Sequence, residues 1–155
     1  WKILTECLKP GGMLMIGLYS EMARQHILSV RNEISQRGVN STPLEMIAFR
    51  NELIRSKEAH HKKLFLTPDF YSLSELRDLL FHAEEHRFTI SKIQECLNEL
   101  GLKFCGFPNR FILERFKSEF TEPDAVYNLE QWNEFEHRNP NTFFGMYEFW
   151  CQKVE

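Results

Sequence analysis

A proline and two glycines followed by an apolar run constrain the fold of this chain more than any other feature. Residues 8–20 read LKPGGMLMIGLYS, in which Pro10 ends a preceding helix and Gly11 and Gly12 supply a turn. The run Met13–Leu18 is continuously apolar, as expected of a strand that is buried on both faces of a parallel sheet. Because a strand follows directly on a helix, the pattern predicts an α/β fold.

Helical and strand patterns alternate along the rest of the chain. Apolar residues at helical spacing predict a helix after the first strand, and Gly38 ends it. The capping-box pattern Ser/Thr-x-x-Glu occurs at 42–45 and 72–75 and predicts two further helix starts. The segments LKFCGF (102–107) and TFFGMYEFWCQK (142–153) predict strands. The second strand is predicted to be buried on both faces, because apolar residues occupy both its odd and its even positions. The sequence therefore predicts a sheet of three strands among several helices.

Three more helices are predicted in the second half of the chain, and the aromatic residues of this region are expected in the core. The first helix has an apolar face and is ended by Gly101; the residues of that face are Ile90, Ile93, Leu97 and Leu100. The second runs from Phe111 to Phe120, and the third follows a capping residue at Asn128 and ends near Pro140. Six aromatic residues of this region are assigned to the core and not to a ligand cage: Trp132, Phe135, Phe143, Phe144, Phe149 and Trp150.

Charge and cysteine usage exclude several classes of function. The 155 residues include 19 Lys and Arg against 22 Asp and Glu, a formal net charge of −3, which does not favour a nucleic-acid partner. No apolar run is long enough to span a membrane, so no membrane partner is expected. The four cysteines form no Cys-x-x-Cys pair, which favours reduced thiols and a cytoplasmic location.

Several segments resemble one enzyme family. ILTECLKPGGMLMIGLYS (3–20) resembles the late portion of class I S-adenosylmethionine-dependent methyltransferases, in which Leu-x-Pro-Gly-Gly leads into a central strand of a seven-stranded sheet. The segments 102–107 and 142–153 resemble the last two strands, which form the reversed edge of that sheet. The block 70–107, FYSLSELRDLLFHAEEHRFTISKIQECLNELGLKFCGF, is similar to bacterial methyltransferases that often carry tetratricopeptide repeats.

The resemblance implies the C-terminal portion of a Rossmann-like methyltransferase sheet, with residues 1–155 in a single domain and a helical insertion over about 21–70. In that family a glycine-rich turn and an acidic residue hold S-adenosylmethionine. None of the seven glycines of this chain forms a Gly-x-Gly cluster. We expect the remaining strands and the cofactor turn to precede Trp1. We therefore expect no cofactor-binding residues in these 155 residues, and weak or no binding of S-adenosylmethionine by them alone.

The carboxyl end of the first strand is the predicted substrate side. Ligands of open α/β sheets lie beyond the carboxyl ends of the parallel strands. Tyr19 and Ser20 follow the apolar run and Arg24 lies one turn later, so these three are substrate-binding candidates. In the alternative interpretation, Tyr19 packs beneath the next helix and Arg24 is a solvated helix charge.

The densest polar cluster, RDLLFHAEEHRF, spans residues 77–88. His82, Glu85 and His86 match the inverted zinc-protease pattern His-x-x-Glu-His, but the predicted helix ends before the pattern is complete, so no metal ligand set is expected. These residues, or Glu84, are further candidates for substrate contact or proton acceptance, since histidine removes a proton near neutral pH. The alternative is that they cap helices and bond to the backbone.

The basic run at 60–63, His-His-Lys-Lys, is expected to be a solvated surface because no aromatic residues are interleaved with it. The function predicted from the sequence is part of an S-adenosylmethionine-dependent methyltransferase, with unknown catalytic residues and an unnamed acceptor that is a small molecule or a protein. A non-catalytic α/β module that binds a protein partner remains the alternative.

Overall fold

The computed structural model describes residues 1–82 and 85–154, and the chain divides into two compact units. The first unit consists of Trp1–Ala23 and His86–Glu155 and carries the sheet, and the second consists of Arg24–Glu85. The predicted α/β class is confirmed. None of the helices in the described ranges combines the length and the apolar composition that a membrane span needs.

The first unit contains four strands and four α-helices within the described residues. In chain order these are α1 (Lys2–Cys7), β1 (Met13–Ser20), β2 (Arg87–Phe88), α6 (Ile90–Glu99), β3 (Leu102–Gly106), α7 (Arg110–Glu119), a 3₁₀ turn (Ala125–Tyr127), α8 (Leu129–Arg138) and β4 (Met146–Lys153). The strand predicted over 102–107 is confirmed as β3. The strand predicted over 142–153 is confirmed as β4 from Met146 onward, whereas residues 142–145 form a turn. The sequence did not predict β2, because two residues are too few to show alternation.

The sheet has the strand order β2-β1-β4-β3. β1 is parallel to β2, and β4 is antiparallel to both of its neighbours, β1 and β3. The register of the central pair sets Ile16 opposite Phe149. The last strand along the chain is therefore a reversed strand inserted between two strands that run in one direction.

The sheet buries one face, so the predicted burial of β1 and of 142–153 on both faces is wrong. Ile16 is buried on β1, whereas Met13 and Met15 are each 47% exposed. On β4 the side chains of Tyr147, Phe149 and Cys151 are buried while those between them face solvent. Methionine and tryptophan occupy part of the exposed face, so composition alone could not separate a covered face from an open one.

Aromatic packing forms the core of the first unit. Trp132 of α8 stacks on Phe116 of α7 with ring centroids 3.7 Å apart, and Phe107 meets its ring edge-on at 4.8 Å. Four of the six aromatic residues assigned to the core are buried, which confirms their assignment. The other two are not: Phe144 is 90% exposed with a positive φ of 47°, and Trp150 is 39% exposed.

The second unit is helical in the described residues. Its elements are α2 (Gln25–Arg37), α3 (Pro43–Arg55), α4 (Ala59–Leu64), a 3₁₀ turn (Pro68–Phe70), α5 (Leu73–Leu76) and a π-helical turn (Arg77–Phe81). Gly38 adopts the left-handed conformation at the end of α2, with φ of 64°, as the sequence predicts.

The two predicted capping boxes of this unit have different outcomes. The Thr42 hydroxyl accepts a hydrogen bond from the Glu45 amide at 3.4 Å, so α3 is capped by its side chain as predicted. Ser72 makes no cap bond, and its Oγ lies 3.0 Å from the Oγ of Ser74 instead. A serine hydroxyl can bond to a neighbouring hydroxyl as readily as to the backbone, so the second pattern marks the helix start without forming the box.

Candidate functional site

Two neighbouring candidates at the carboxyl end of β1 lie on opposite faces of the sheet. Tyr19 pairs with Arg87 of β2, and Ser20 pairs with Phe88. Since successive side chains of a strand alternate, Tyr19 is 38% exposed while Ser20 is completely buried. The exposed fraction of Tyr19 shows that the ring is not buried beneath a helix.

Ser20 belongs to a buried polar cluster with Glu136 of α8 and Tyr147 of β4. The Tyr147 hydroxyl donates to the Glu136 carboxylate, with its oxygen 2.9 Å from Oε1 and 2.8 Å from Oε2. The Ser20 Oγ lies 3.1 Å from Glu136 Oε1 and 3.1 Å from the Tyr147 hydroxyl oxygen. It also accepts a hydrogen bond from the Ala23 amide at 3.1 Å. The cluster thus joins the end of β1 to α8 and β4.

The burial of this cluster shifts the pKa values of its acidic groups. Loss of solvation raises the pKa of Glu136 above its usual 4.5, while hydrogen bonds from Tyr147 and Ser20 act in the opposite direction. Burial, together with the charge of Glu136, raises the pKa of Tyr147, so its phenol stays protonated and remains a donor. A carboxyl group with a raised pKa can hold a proton at a higher pH than usual, but Glu136 is only 1% exposed. The geometry supports a role in positioning Ser20 and the turn that follows β1.

Glu136 and Tyr147 were not predicted as site residues, although the sequence around each carries a signal of burial. Glu136 lies four residues after Trp132, so it falls on the apolar stripe of α8 instead of the solvent face. Tyr147 lies two residues before Phe149 on β4, so both side chains point to the same face of the sheet. An acidic residue on the apolar face of a helix predicts that its carboxyl group is buried and hydrogen-bonded. A tyrosine at a buried position of a strand predicts the same for its hydroxyl group.

A second polar cluster lies within the helical unit and joins Arg24 to Glu85. Arg24 donates from Nε to Oε1 at 2.9 Å and from Nη2 to Oε2 at 2.7 Å, which is a bidentate pair. Arg31 also donates to Glu85 Oε2, at 2.9 Å, and to the carbonyl oxygen of Leu79 at 2.7 Å. The side chains of Arg24 and Glu85 are 11% and 5% exposed. Two of the predicted site residues therefore meet, and Arg31, which was not predicted, bonds to the same carboxylate.

The remaining candidates from the cluster at 77–88 are His82, Glu84 and His86. His82 and His86 are exposed, and Glu84 lies outside the described residues. The Glu85 carboxylate of the His-x-x-Glu-His pattern is occupied by two guanidinium groups, which a zinc ligand set does not accommodate.

The basic run 60–63 contains a buried residue, so its predicted assignment as a fully solvated surface is wrong. His61 is 8% exposed, and its Nδ1 lies 2.7 Å from the Ser56 Oγ. Its Nε2 lies 3.0 Å from both carboxylate oxygens of Glu33, and His60 Nε2 lies 2.6 Å from Glu33 Oε1. Although burial raises the pKa of Glu33, the hydrogen bonds and charges of the two histidines outweigh it, and the pKa lies below its usual 4.5.

The sheet with its reversed strand and flanking helices is a methyltransferase-like α/β fold. The structure of PKMT2 from Rickettsia typhi, a protein methyltransferase, is similar to this chain with a TM-score of 0.57 and 11% sequence identity. The similarity covers 99% of this chain and 32% of that one, so the chain spans about a third of the length of the structure it matches. No family model matches the sequence, and no curated protein matches it.

Proposed function

We propose that this chain is part of an S-adenosylmethionine-dependent methyltransferase and supplies the later strands of the sheet and its substrate side. The observation that carries the proposal is the order β2-β1-β4-β3, with a reversed strand between two strands of one direction, in a fold similar to PKMT2 over nearly the whole chain. The methyl acceptor is a small molecule or a protein side chain. The free cysteine thiols support a cytoplasmic location.

Gly11 and Gly12 are not proposed to bind the methyl donor. Gly11, with φ of 74°, and Gly12 lie in the turn before β1, at its amino end. Ligands of such sheets lie at the opposite end of the parallel strands. We therefore assign the binding of S-adenosylmethionine to residues outside these 155, and no step of methyl transfer to the residues described.

The six candidate residues divide into two groups under this proposal. Tyr19, His82 and His86 have exposed side chains that suit direct contact with an acceptor. Ser20, Arg24 and Glu85 are buried or nearly so, each in a hydrogen-bonded cluster that suits the positioning of neighbouring groups. No general base is assigned, because methyl transfer to a deprotonated nucleophile needs alignment more than proton removal.

The test uses a protein that carries both this chain and a glycine-rich cofactor turn. Calorimetry should show binding of S-adenosylmethionine, and radiolabelled methyl groups should be transferred to protein or small-molecule fractions of a cell extract. Tyr19→Phe and His86→Gln should each lower the rate about tenfold or more without lowering the melting temperature. The matched controls Tyr127→Phe and His137→Gln should leave both unchanged.

Absence of both cofactor binding and methyl transfer would overturn the proposal. A separate titration addresses the 155 residues alone, for which we expect weak or no binding. Low-micromolar binding of S-adenosylmethionine by that chain would show that the assignment of the cofactor site to other residues is wrong.

A protein-interaction module is the second candidate, and the open face of the sheet favours it. Met15 and Trp150 lie opposite each other in the register and are 47% and 39% exposed. Apolar side chains of this size on one face suit a protein partner. The association with tetratricopeptide repeats stays a prediction that belongs with this candidate. Two results together would favour the module over the enzyme: no binding of S-adenosylmethionine by the wild type, and loss of a bound protein partner in the Met15→Lys variant.

A further inference from the structure

Three metal-ligating side chains converge between α2 and α4 of the helical unit. Glu33 comes from α2, and His60 and His61 are successive residues of α4. One ligand atom from each residue lies within 4.8 Å of the ligand atoms of the other two. It is the single group of this kind among the residues that the structure describes.

We propose that Glu33, His60 and His61 form a binding site for Zn²⁺, with a fourth position for a water molecule. Two ligand atoms of a tetrahedral zinc site, each about 2.0–2.1 Å from the metal, lie about 3.3 Å apart. The Glu33 oxygens lie 2.6 Å from His60 Nε2 and 3.0 Å from His61 Nε2. Adjustments of less than about 1 Å would bring each histidine nitrogen to this spacing from Glu33. The ligand atoms of the two histidines lie within 4.8 Å of each other.

In the zinc-free cluster, protons on the histidine nitrogens occupy the positions that a cation would take. A carboxylate only accepts hydrogen bonds, so without a metal both Nε2 atoms must carry a proton toward Glu33. The two imidazole rings, with centroids 4.2 Å apart, then direct two N–H groups at one carboxylate. A Zn²⁺ ion replaces these protons and leaves each Nε2 lone pair as a ligand.

Ser56 provides the supporting contact that metal-binding histidines need. The His61 Nδ1 lies 2.7 Å from the Ser56 Oγ, which also accepts the Glu58 amide at 3.2 Å. In the zinc-bound form His61 would donate Nδ1–H to this oxygen and keep its Nε2 unprotonated as the metal ligand. Contacts of this type fix the ring and the tautomer of a ligating histidine.

The donor set and its exposure favour zinc over other common cations. Two imidazoles and one carboxylate with an open position suit Zn²⁺, whereas Mg²⁺ and Ca²⁺ prefer oxygen ligands. The side chains of His60 and Glu33 are each 31% exposed, so an ion can reach the site from solvent, while His61 is 10% exposed and anchors it.

The experiment titrates Zn²⁺ into the metal-free full-length protein by calorimetry. We expect one saturable site per chain, and an increase in melting temperature with added Zn²⁺. Glu33→Gln, which keeps the shape of the side chain, and His60→Ala should each weaken binding by tenfold or more. Ser56→Ala should weaken it about 10–100-fold, as the loss of a supporting contact does elsewhere.

His137→Ala is the matched control, because His137 is exposed and bonds to the Asn133 carbonyl outside the cluster. The His137→Ala variant should bind Zn²⁺ with the same affinity as the wild type. Absorption of the Co²⁺-loaded protein adds a readout, since a tetrahedral band should appear in the wild type and be lost in Glu33→Gln. No saturable binding, or equal binding in Glu33→Gln and His60→Ala variants with unchanged melting temperatures, would overturn the proposal.

Discussion

The Tyr147 hydroxyl lies within hydrogen-bond distance of both carboxylate oxygens of Glu136, at 2.8 and 2.9 Å, with both side chains buried. Burial removes the water that would otherwise solvate the carboxyl group, so the phenol and the Ser20 hydroxyl replace it. An acidic residue in the core of this unit is stable only because these donors are present.

Removal of the phenol should therefore destabilise the first unit. Tyr147→Phe leaves the Glu136 carboxyl with one hydroxyl donor, and the free energy of unfolding should fall by about 1–3 kcal/mol. Urea denaturation followed by circular dichroism measures the change. Tyr127→Phe, whose ring is 54% exposed, should change the free energy by less than about 0.5 kcal/mol. Equal effects of the two substitutions would contradict the role assigned to Tyr147.

The raised pKa of Glu136 predicts how stability depends on pH. Between the usual value of 4.5 and the higher pKa in the folded chain, the folded state binds more protons than the unfolded state. The contribution of Glu136 to stability is thus fully present below 4.5 and is lost as the pH rises through the folded pKa. Glu136→Gln has no such titration, so the difference in unfolding free energy between wild type and variant should change across pH 4–8. A constant difference would contradict the shift.

The ion pair of Arg24 and Glu85 should contribute more to stability than an exposed pair does. Glu85→Gln leaves two largely buried guanidinium groups without a carboxylate, and we expect a loss of about 3 kcal/mol. Glu52→Gln removes the Arg37–Glu52 pair, whose side chains are 50% and 54% exposed, and should cost less than about 1 kcal/mol. Urea denaturation of both variants gives the comparison. A loss for Glu85→Gln no greater than for Glu52→Gln would show that the pair is not a stabilising contact.

Helix capping provides a prediction with an internal control. The Asn128 side chain accepts hydrogen bonds from the Glu130 and Gln131 amides at 2.9 and 3.3 Å, so Asn128→Ala should destabilise by about 1 kcal/mol. Ser72 stands at the same position of α5 but makes no cap bond, and Ser72→Ala should have little effect on the melting temperature. A larger loss for Ser72→Ala than for Asn128→Ala would contradict the assigned cap geometry.

Local patterns in the sequence predicted most elements because local interactions determine them. Gly38 ends α2, Asn128 begins α8, and the strand after Gly12 begins where the turn predicts it. The burial of the sheet was harder to predict, since an apolar residue such as Met15 has the same local signature on a covered face as on an open one. The two-residue strand β2 exists through its partner β1 and not through its own sequence.

The polar clusters are formed by residues that are distant in sequence, and for this reason only some of their members could be predicted from the sequence. Ser20 and Arg24 were selected from their position after β1, but their partners Glu136 and Glu85 lie 116 and 61 residues away. The run 60–63 looked like surface because its charges are local, whereas the contact of His61 with Glu33 crosses from α4 to α2. Residue type alone does not specify such pairings, which depend on how helices pack.

The bond between Arg24 and Glu85 joins the first and the last residue of the helical unit. In the other unit, β1 and β2 are adjacent parallel strands, and the Glu21 amide bonds to the Phe88 carbonyl at 2.9 Å. An ion pair therefore holds together the two ends of the helical unit, and strand pairing holds together the two flanking segments of the sheet unit.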